Sequence, residues 1–282
     1  MPEPLQLPIR VLLKGPSNIS WMSYPGGSRT DFTFARALEA ELLGAGRPAT
    51  VQTISVPSEL AKTTLRRWEA EVLGFSPDVI VITYGQYESV HLFLPRWLER
   101  HANSLKARPG FFRERYRKYL VRPVWMFLAR QQARLDRSPI AALTKSVRPG
   151  RTVRDIARFV ENVQEVGSPL VIIFEVLPPA KRYESWFPGM KTRIAEYNRL
   201  AAQYVRQLDK QNVRFFRVTE LVEQHAEGSL EVAIPDGFHW TPQMHGIIGG
   251  ELAREIIKWA DTQDHLKVID AGRQRPRRAR PA

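Results

Sequence analysis

The sequence predicts a parallel α/β protein: five strands in one sheet, with helices on both faces. Three observations carry this. Short apolar runs alternate with amphipathic helical segments along the chain. The runs Asp78-Val79-Ile80-Val81-Ile82-Thr83 and Leu170-Val171-Ile172-Ile173-Phe174 are apolar nearly throughout, as in strands covered on both faces. At 282 residues the chain is long enough to bury such a core, and with no cysteine it folds without disulfide staples.

The elements follow in order. Ile9-Arg10-Val11-Leu12-Leu13-Lys14 reads as the first strand, stopped by Gly15-Pro16. Thr30 to Leu43 reads as a helix, because Phe34, Ala37, Leu38, Glu41 and Leu42 fall at helical spacing. Ser28 or Thr30 is placed to cap it, and Gly44 and Gly46 to end it. Thr50 to Val56 alternates as a second strand, Glu59 to Leu73 is helical, and residues 78–83 form the third strand. The helical pattern Arg151 to Val166 leads to the fourth strand at 170–174, which Pro178-Pro179 follows. Met190 to Leu208 is a helix and Val213-Arg214-Phe215-Phe216 the fifth strand. Pro242 to Trp259 is the last helix, with proline in its first turn. Strands separated by helices in this way form a parallel sheet through right-handed crossovers.

Charge divides the chain unevenly. The formal net charge is +13, from 42 basic and 29 acidic residues. Arg96 to Arg154 alone holds sixteen basic residues against Glu99, Glu114 and Asp136. Residues 96–149 also interrupt the α/β alternation and are rich in aromatics: Phe111, Phe112, Tyr116, Tyr119, Trp125 and Phe127. They read as a basic helical insertion, a lid or docking surface, within a single domain spanning 1–270. Residues 271–282 read as a disordered Arg/Pro-rich tail. A concentrated basic segment points to an anionic partner: a membrane surface, an acyl-CoA or acidic carrier, or nucleic acid. Nucleic acid is the weakest of these, because the chain has no recognised nucleic-acid motif. Met1 to Ile9 has three prolines and no apolar core, so it does not read as a signal peptide. No apolar run is long enough to span a membrane as a helix. The expected location is the cytoplasm, with the inner face of the membrane as a peripheral site.

In open parallel sheets, ligands bind beyond the carboxyl ends of the strands. Gly15-Pro16-Ser17-Asn18 follows the first strand, Tyr84-Gly85-Gln86-Tyr87-Glu88 follows the third, and Asp236-Gly237-Phe238-His239 precedes the last helix. Together these loops hold a serine, polar donors, an aspartate and a histidine. Nucleophilic acyl transfer needs that set: a hydroxyl, an imidazole to take its proton, a carboxylate to fix the imidazole, and donors for the oxyanion. Asp236 also sits in Pro-Asp-Gly, a turn signal in its own right. Glu88 and His91 read as a pair at a helix start, and no metal site or cofactor is expected. Gly26-Gly27-Ser28-Arg29 reads as a turn into the first helix, and Trp186-Phe187-Pro188-Gly189-Met190 as a pocket rim or helix-entry staple.

The order of these motifs resembles the SGNH, or GDSL-type, hydrolase superfamily. The resemblance covers about residues 9 to 260 apart from the insertion. That family places its nucleophile in Gly-Asp-Ser after the first strand, Gly-x-Asn-Asp after the third, and Asp-x-x-His before the last helix. The resemblance implies a three-layer, flavodoxin-like fold and an esterase or acyltransferase with Ser17 as nucleophile, His239 as base and Asp236 as its partner. It also implies departures. Pro16 replaces the family's aspartate, Tyr87 stands where the family has its oxyanion asparagine, and Pro57-Ser58-Glu59 stands where it has a glycine donor. Asn18, Gly85, Gln86, Tyr87 and Glu88 are the candidate oxyanion or substrate-binding residues, with Asn18, Gln86 or the Tyr87 hydroxyl rebuilding the hole. The alternative is a catalytically weakened binding protein or acyltransferase that works through the basic insertion.

Overall fold

The computed structural model describes residues 7–24, 27–29, 32–57, 59–90, 101, 110–136, 149–184 and 187–266. Five parallel strands form one sheet: β1 (Ile9–Gly15), β4 (Ala49–Ser55), β5 (Val79–Ile82), β6 (Leu170–Phe174) and β7 (Val213–Phe216), in the order β4-β1-β5-β6-β7. All five are strands that the hydrophobic pattern predicts. Val11 of β1 lies opposite both Val51 of β4 and Val79 of β5. The chain therefore leaves β1 in one direction and returns to its other side, so the strand order reverses at β1. Doubly wound sheets open their binding crevice at that reversal, beyond the carboxyl ends of the strands.

Helices cover both faces, giving three layers. Ile9, Val11, Leu13, Val79, Val81, Leu170 and Ile172 point to one face and bury against the helices Phe34–Gly44 and Pro242–Ala260. Leu12, Ile80, Ile82, Val171 and Ile173 point to the other, against Ala61–Trp68, Pro149–Val166 and Met190–Leu208. Alternation along each strand produces this division. The first pair of helices approaches closely at Gly249. A Cβ there would meet the Ala37 side chain and come within 2.8 Å of the Leu38 backbone nitrogen.

The first helix departs from the predicted start at Thr30. Gly27–Arg29 is instead β3, paired antiparallel with β2 (Met22–Tyr24). The turn reading of residues 27–29 gives way to this antiparallel pairing; residues 26 and 30 lie outside the described residues. The helix begins at Phe34, whose N–H donates to Nδ1 of His245 at 2.9 Å, while its N-cap Thr33 makes no side-chain cap bond. A residue of the last helix thus closes the first turn. The helix predicted over 59–73 spans Ala61–Trp68 and passes into a π-helical turn, Glu69–Leu73.

Of the basic insertion, residues 101, 110–136 and 149 are described, and 111–136 are helical. Phe111–Tyr116 and Arg122–Asp136 are α-helical, joined by a π-helical turn over Arg117–Val121. The rest of the insertion, His91, Ser58, Trp186 and the tail 271–282 lie outside the described residues. Among the described residues no helix is long and apolar enough to cross a membrane.

Candidate active site

Ser17 opens a 3-10 turn, Ser17–Ile19, immediately beyond β1. The end of β4 holds that turn. The Val56 N–H donates to the Gly15 carbonyl at 3.2 Å and the Ser55 hydroxyl to the Pro16 carbonyl at 3.0 Å. Ser20 and Ser55 hydroxyls meet at 2.7 Å. Pro16 fixes its own φ at −74°, so the Ser17 loop is anchored on both sides of a stiff residue.

The histidine loop is brought to Ser17 from the far end of the chain. Gly237, at φ +86°, turns the chain, and its N–H donates to the Ile234 carbonyl at 2.7 Å. Asp236 Oδ1 accepts the N–H groups of Phe238 at 2.9 Å and His239 at 2.7 Å. Asp236 Oδ2 lies 2.6 Å from His239 Nδ1, and His239 Nε2 lies 3.0 Å from Ser17 Oγ. Serine, histidine and aspartate therefore form one continuous hydrogen-bonded line. Burial pushes the Asp236 carboxyl up. The hydrogen bond and charge of His239, with the N–H groups of His239 and Phe238, outweigh it and hold the carboxyl well below the usual carboxylate range. The aspartate is ionised, so it accepts from Nδ1–H. That contact orients the ring so that Nε2 faces the serine hydroxyl.

Two residues that the sequence reading did not single out support this line. The Trp21 ring lies 5.5 Å from the His239 ring, tilted by 32°. The Trp21 carbonyl in turn accepts from Nε2–H of His245 at 3.0 Å; Nδ1 of His245 is already the acceptor for Phe34, which fixes the tautomer. The Ser23 N–H donates to the Trp240 carbonyl at 2.7 Å, tying β2 to the residue after His239. Nothing in a single sequence marks these partners, because each contact joins segments more than two hundred residues apart.

The candidate oxyanion residues divide. Asn18 Oδ1 accepts from the Thr83 hydroxyl at 3.2 Å, so the amide presents its NH₂ end elsewhere. Asn18, Thr83 and Gln86 line one small cavity at the strand ends, closed by Phe238 and Trp240. Gln86 is nearly buried and Tyr87 half-buried. Gly85 takes φ +118°, and a Cβ there would run into the Tyr197 ring. Its N–H donates to Glu88 Oε2 at 3.0 Å, while Glu88 Oε1 accepts the Ala61 N–H at 2.8 Å. Glu88 thus holds the starts of two helices, and burial pushes its pKa up. Phe187 packs edge-on against Phe238 at 5.1 Å, beside the histidine loop.

The arrangement matches solved hydrolases in fold. A lipase/acylhydrolase from Enterococcus faecalis is 17% identical, with a TM-score of 0.55 over 89% of this chain and 96% of that one. A putative lipolytic protein of the G-D-S-L family from Desulfitobacterium hafniense is 14% identical, at 0.52 over 87% and 98%. An aryl esterase of M. smegmatis is 14% identical, at 0.52 over 89% and 98%. No family model and no curated protein matches the sequence. The protein has the fold of the SGNH, or GDSL-type, hydrolase superfamily.

Proposed function

We propose that the protein is a serine esterase or acyl hydrolase that works through an acyl-Ser17 intermediate. The observation that carries this is the line Ser17 Oγ–His239 Nε2 at 3.0 Å and His239 Nδ1–Asp236 Oδ2 at 2.6 Å. Ser17 Oγ attacks the ester carbonyl carbon as His239 Nε2 takes its proton. The resulting imidazolium is held by ionised Asp236, and negative charge collects on the former carbonyl oxygen. The tetrahedral species collapses, the ester C–O bond breaks, and His239 returns the proton to the departing alcohol. A water molecule then gives its proton to His239 and attacks the acyl-Ser17 carbonyl. Collapse releases the acid, and Ser17 recovers its proton. An alcohol in place of that water makes the same site an acyltransferase.

For the oxyanion we assign the Asn18 amide as one donor, because its oxygen is already turned to Thr83 and its NH₂ remains. Gln86 is the second candidate, from its place in the same cavity. A fluorophosphonate probe tests the reading on wild type, Ser17→Ala and His239→Ala. Labelling confined to wild type supports it, and an unlabelled wild type overturns it. Two observations favour a second reading, a binding protein with weakened catalysis: the Gly85 N–H is occupied by Glu88, and the family's asparagine is Tyr87 here. An unlabelled but correctly folded wild type is the result which that reading expects.

A further inference from the structure

The described helix of the basic insertion carries a surface that the triad does not use. Every residue from 110 to 120 is exposed. Phe112, Tyr116, Leu120, Val124 and Phe127 recur at steps of three or four, with Tyr119 beside Leu120, and all are exposed, Phe112 to 82%. Such steps align them along one side of a helical rod. Val121 is buried, and Trp125 and Leu128, at the next turns from it, are half-buried, so a different side faces inward. Between residues 111 and 136 lie Arg113, Arg115, Arg117, Lys118, Arg122, Arg130 and Arg134, against Glu114 and Asp136.

Water does not reward the apolar half of this surface. An exposed run of aromatic and aliphatic side chains is a binding surface or a liability. Its cationic border selects for an anionic partner. The long cationic side chains also lie along the rings: the Arg115 guanidinium is 4.4 Å from the Phe111 ring centre and the Lys118 ammonium 5.3 Å from that of Tyr119. That is how Lys and Arg sit at a lipid interface, with stems on apolar surface and heads toward phosphate. Nucleic acid would reward the cations and the rings by phosphate contact and base stacking. It gives nothing for Leu120 and Val124, which a bilayer takes up with the rings.

We infer that Phe112, Tyr116, Leu120 and Phe127, with the flanking arginines, form an interfacial helix that docks the protein on an anionic phospholipid bilayer. The inference goes beyond hydrolysis and does not depend on it, since docking uses no group of the triad. The helix would lie in the plane of the headgroups with its apolar side down.

Vesicle sedimentation of the full-length protein tests this, with vesicles of phosphatidylcholine alone and of equal parts phosphatidylcholine and phosphatidylglycerol. The expected result is sedimentation with the anionic vesicles at low salt, and little with phosphatidylcholine alone. Arg117→Gln and Arg122→Gln should each weaken binding about fivefold. Phe112→Ser, Leu120→Ser and Phe127→Ser together should weaken it about a hundredfold or more. Ser17→Ala should bind like wild type, so failure of the esterase reading leaves this readout intact. Absence of sedimentation with anionic vesicles at low salt overturns the inference. So does unchanged binding by the triple serine variant with a native circular dichroism spectrum. Should that variant not fold, unchanged binding by the two arginine variants is equally decisive. An RNA oligonucleotide bound by a protein that ignores vesicles assigns the surface to nucleic acid instead.

Discussion

His245→Asn should flatten part of the acid dependence of stability, by an amount that follows from the geometry. His245 is wholly buried between the start of the helix Phe34–Gly44 and the loop after Ser17. Its Nδ1 accepts the Phe34 N–H at 2.9 Å, so a proton on Nδ1 would confront a donor. Burial lowers its pKa; the Trp21 carbonyl raises it and the charge of His239 lowers it, and the net value is about 4 against an ordinary 6.5. Between those values the unfolded chain binds a proton that the native protein refuses. Stability therefore falls as pH drops from 6.5 toward 4. At 1.36 kcal/mol per unit, the difference corresponds to about 3 kcal/mol. Urea unfolding of wild type and His245→Asn across that range reads it directly. The asparagine carbonyl still accepts from Phe34 and does not titrate. Wild type should lose about 3 kcal/mol more than the variant between neutral pH and pH 4. Parallel stability curves for the two proteins would refute the reasoning.

The other predictions concern the Ser17–His239–Asp236 line, the proposed donor and the helix contact. Asp236→Asn should keep the turn, since its carbonyl still accepts from Phe238 and His239, but slow fluorophosphonate labelling by about 10⁴ through the wrong histidine tautomer. Equal labelling of the two proteins would remove Asp236 from the chemistry. Asn18→Ala should slow labelling by about 10²–10³ if its amide donates to the oxyanion. Thr83→Val, which releases the other end of that amide, should cost less, roughly tenfold; an Asn18→Ala protein as fast as wild type counts against the assignment. Gly249→Ala should destabilise by about 1–3 kcal/mol by pressing the last helix off Ala37 and Leu38, measured as a lower urea midpoint.

The centre of the sheet was legible because β5 and β6 are buried on both faces. Val79–Ile82 and Leu170–Phe174 have no polar residue to compete with the strand reading. The last helix was legible for a local reason too: Thr241 accepts from the Met244 N–H, and Pro242 opens the first turn. What was illegible depends on distant partners. Met22–Tyr24 and Gly27–Arg29 are three-residue strands, too short to show a period, and they are fixed by each other and by Trp240. The first helix starts where His245 meets it, not where a local cap is available. Glu88 was legible as a residue at a helix start, but its bond to Ala61 reaches across 27 positions.

Asp236 shows why the local and the functional reading of a residue need not compete. In sequence it is either the polar residue of a Pro-Asp-Gly turn or the acid of a triad. Its two oxygens take one task each. Oδ1 collects the N–H groups of Phe238 and His239, which is the turn; Oδ2 lies against His239 Nδ1, which is the proposed triad. The tasks reinforce each other. The backbone N–H groups add to the pull that keeps the carboxyl ionised, and an ionised carboxyl is what holds the proton on Nδ1. The turn also sets the distance, because a side chain bonded to the N–H three residues on brings its own imidazole partner within reach. Glutamate, one methylene longer, would displace both oxygens from a turn of this size and separate the two tasks. The turn signal in the sequence is thus one component of the site, and its coincidence with a histidine three positions later is the informative feature.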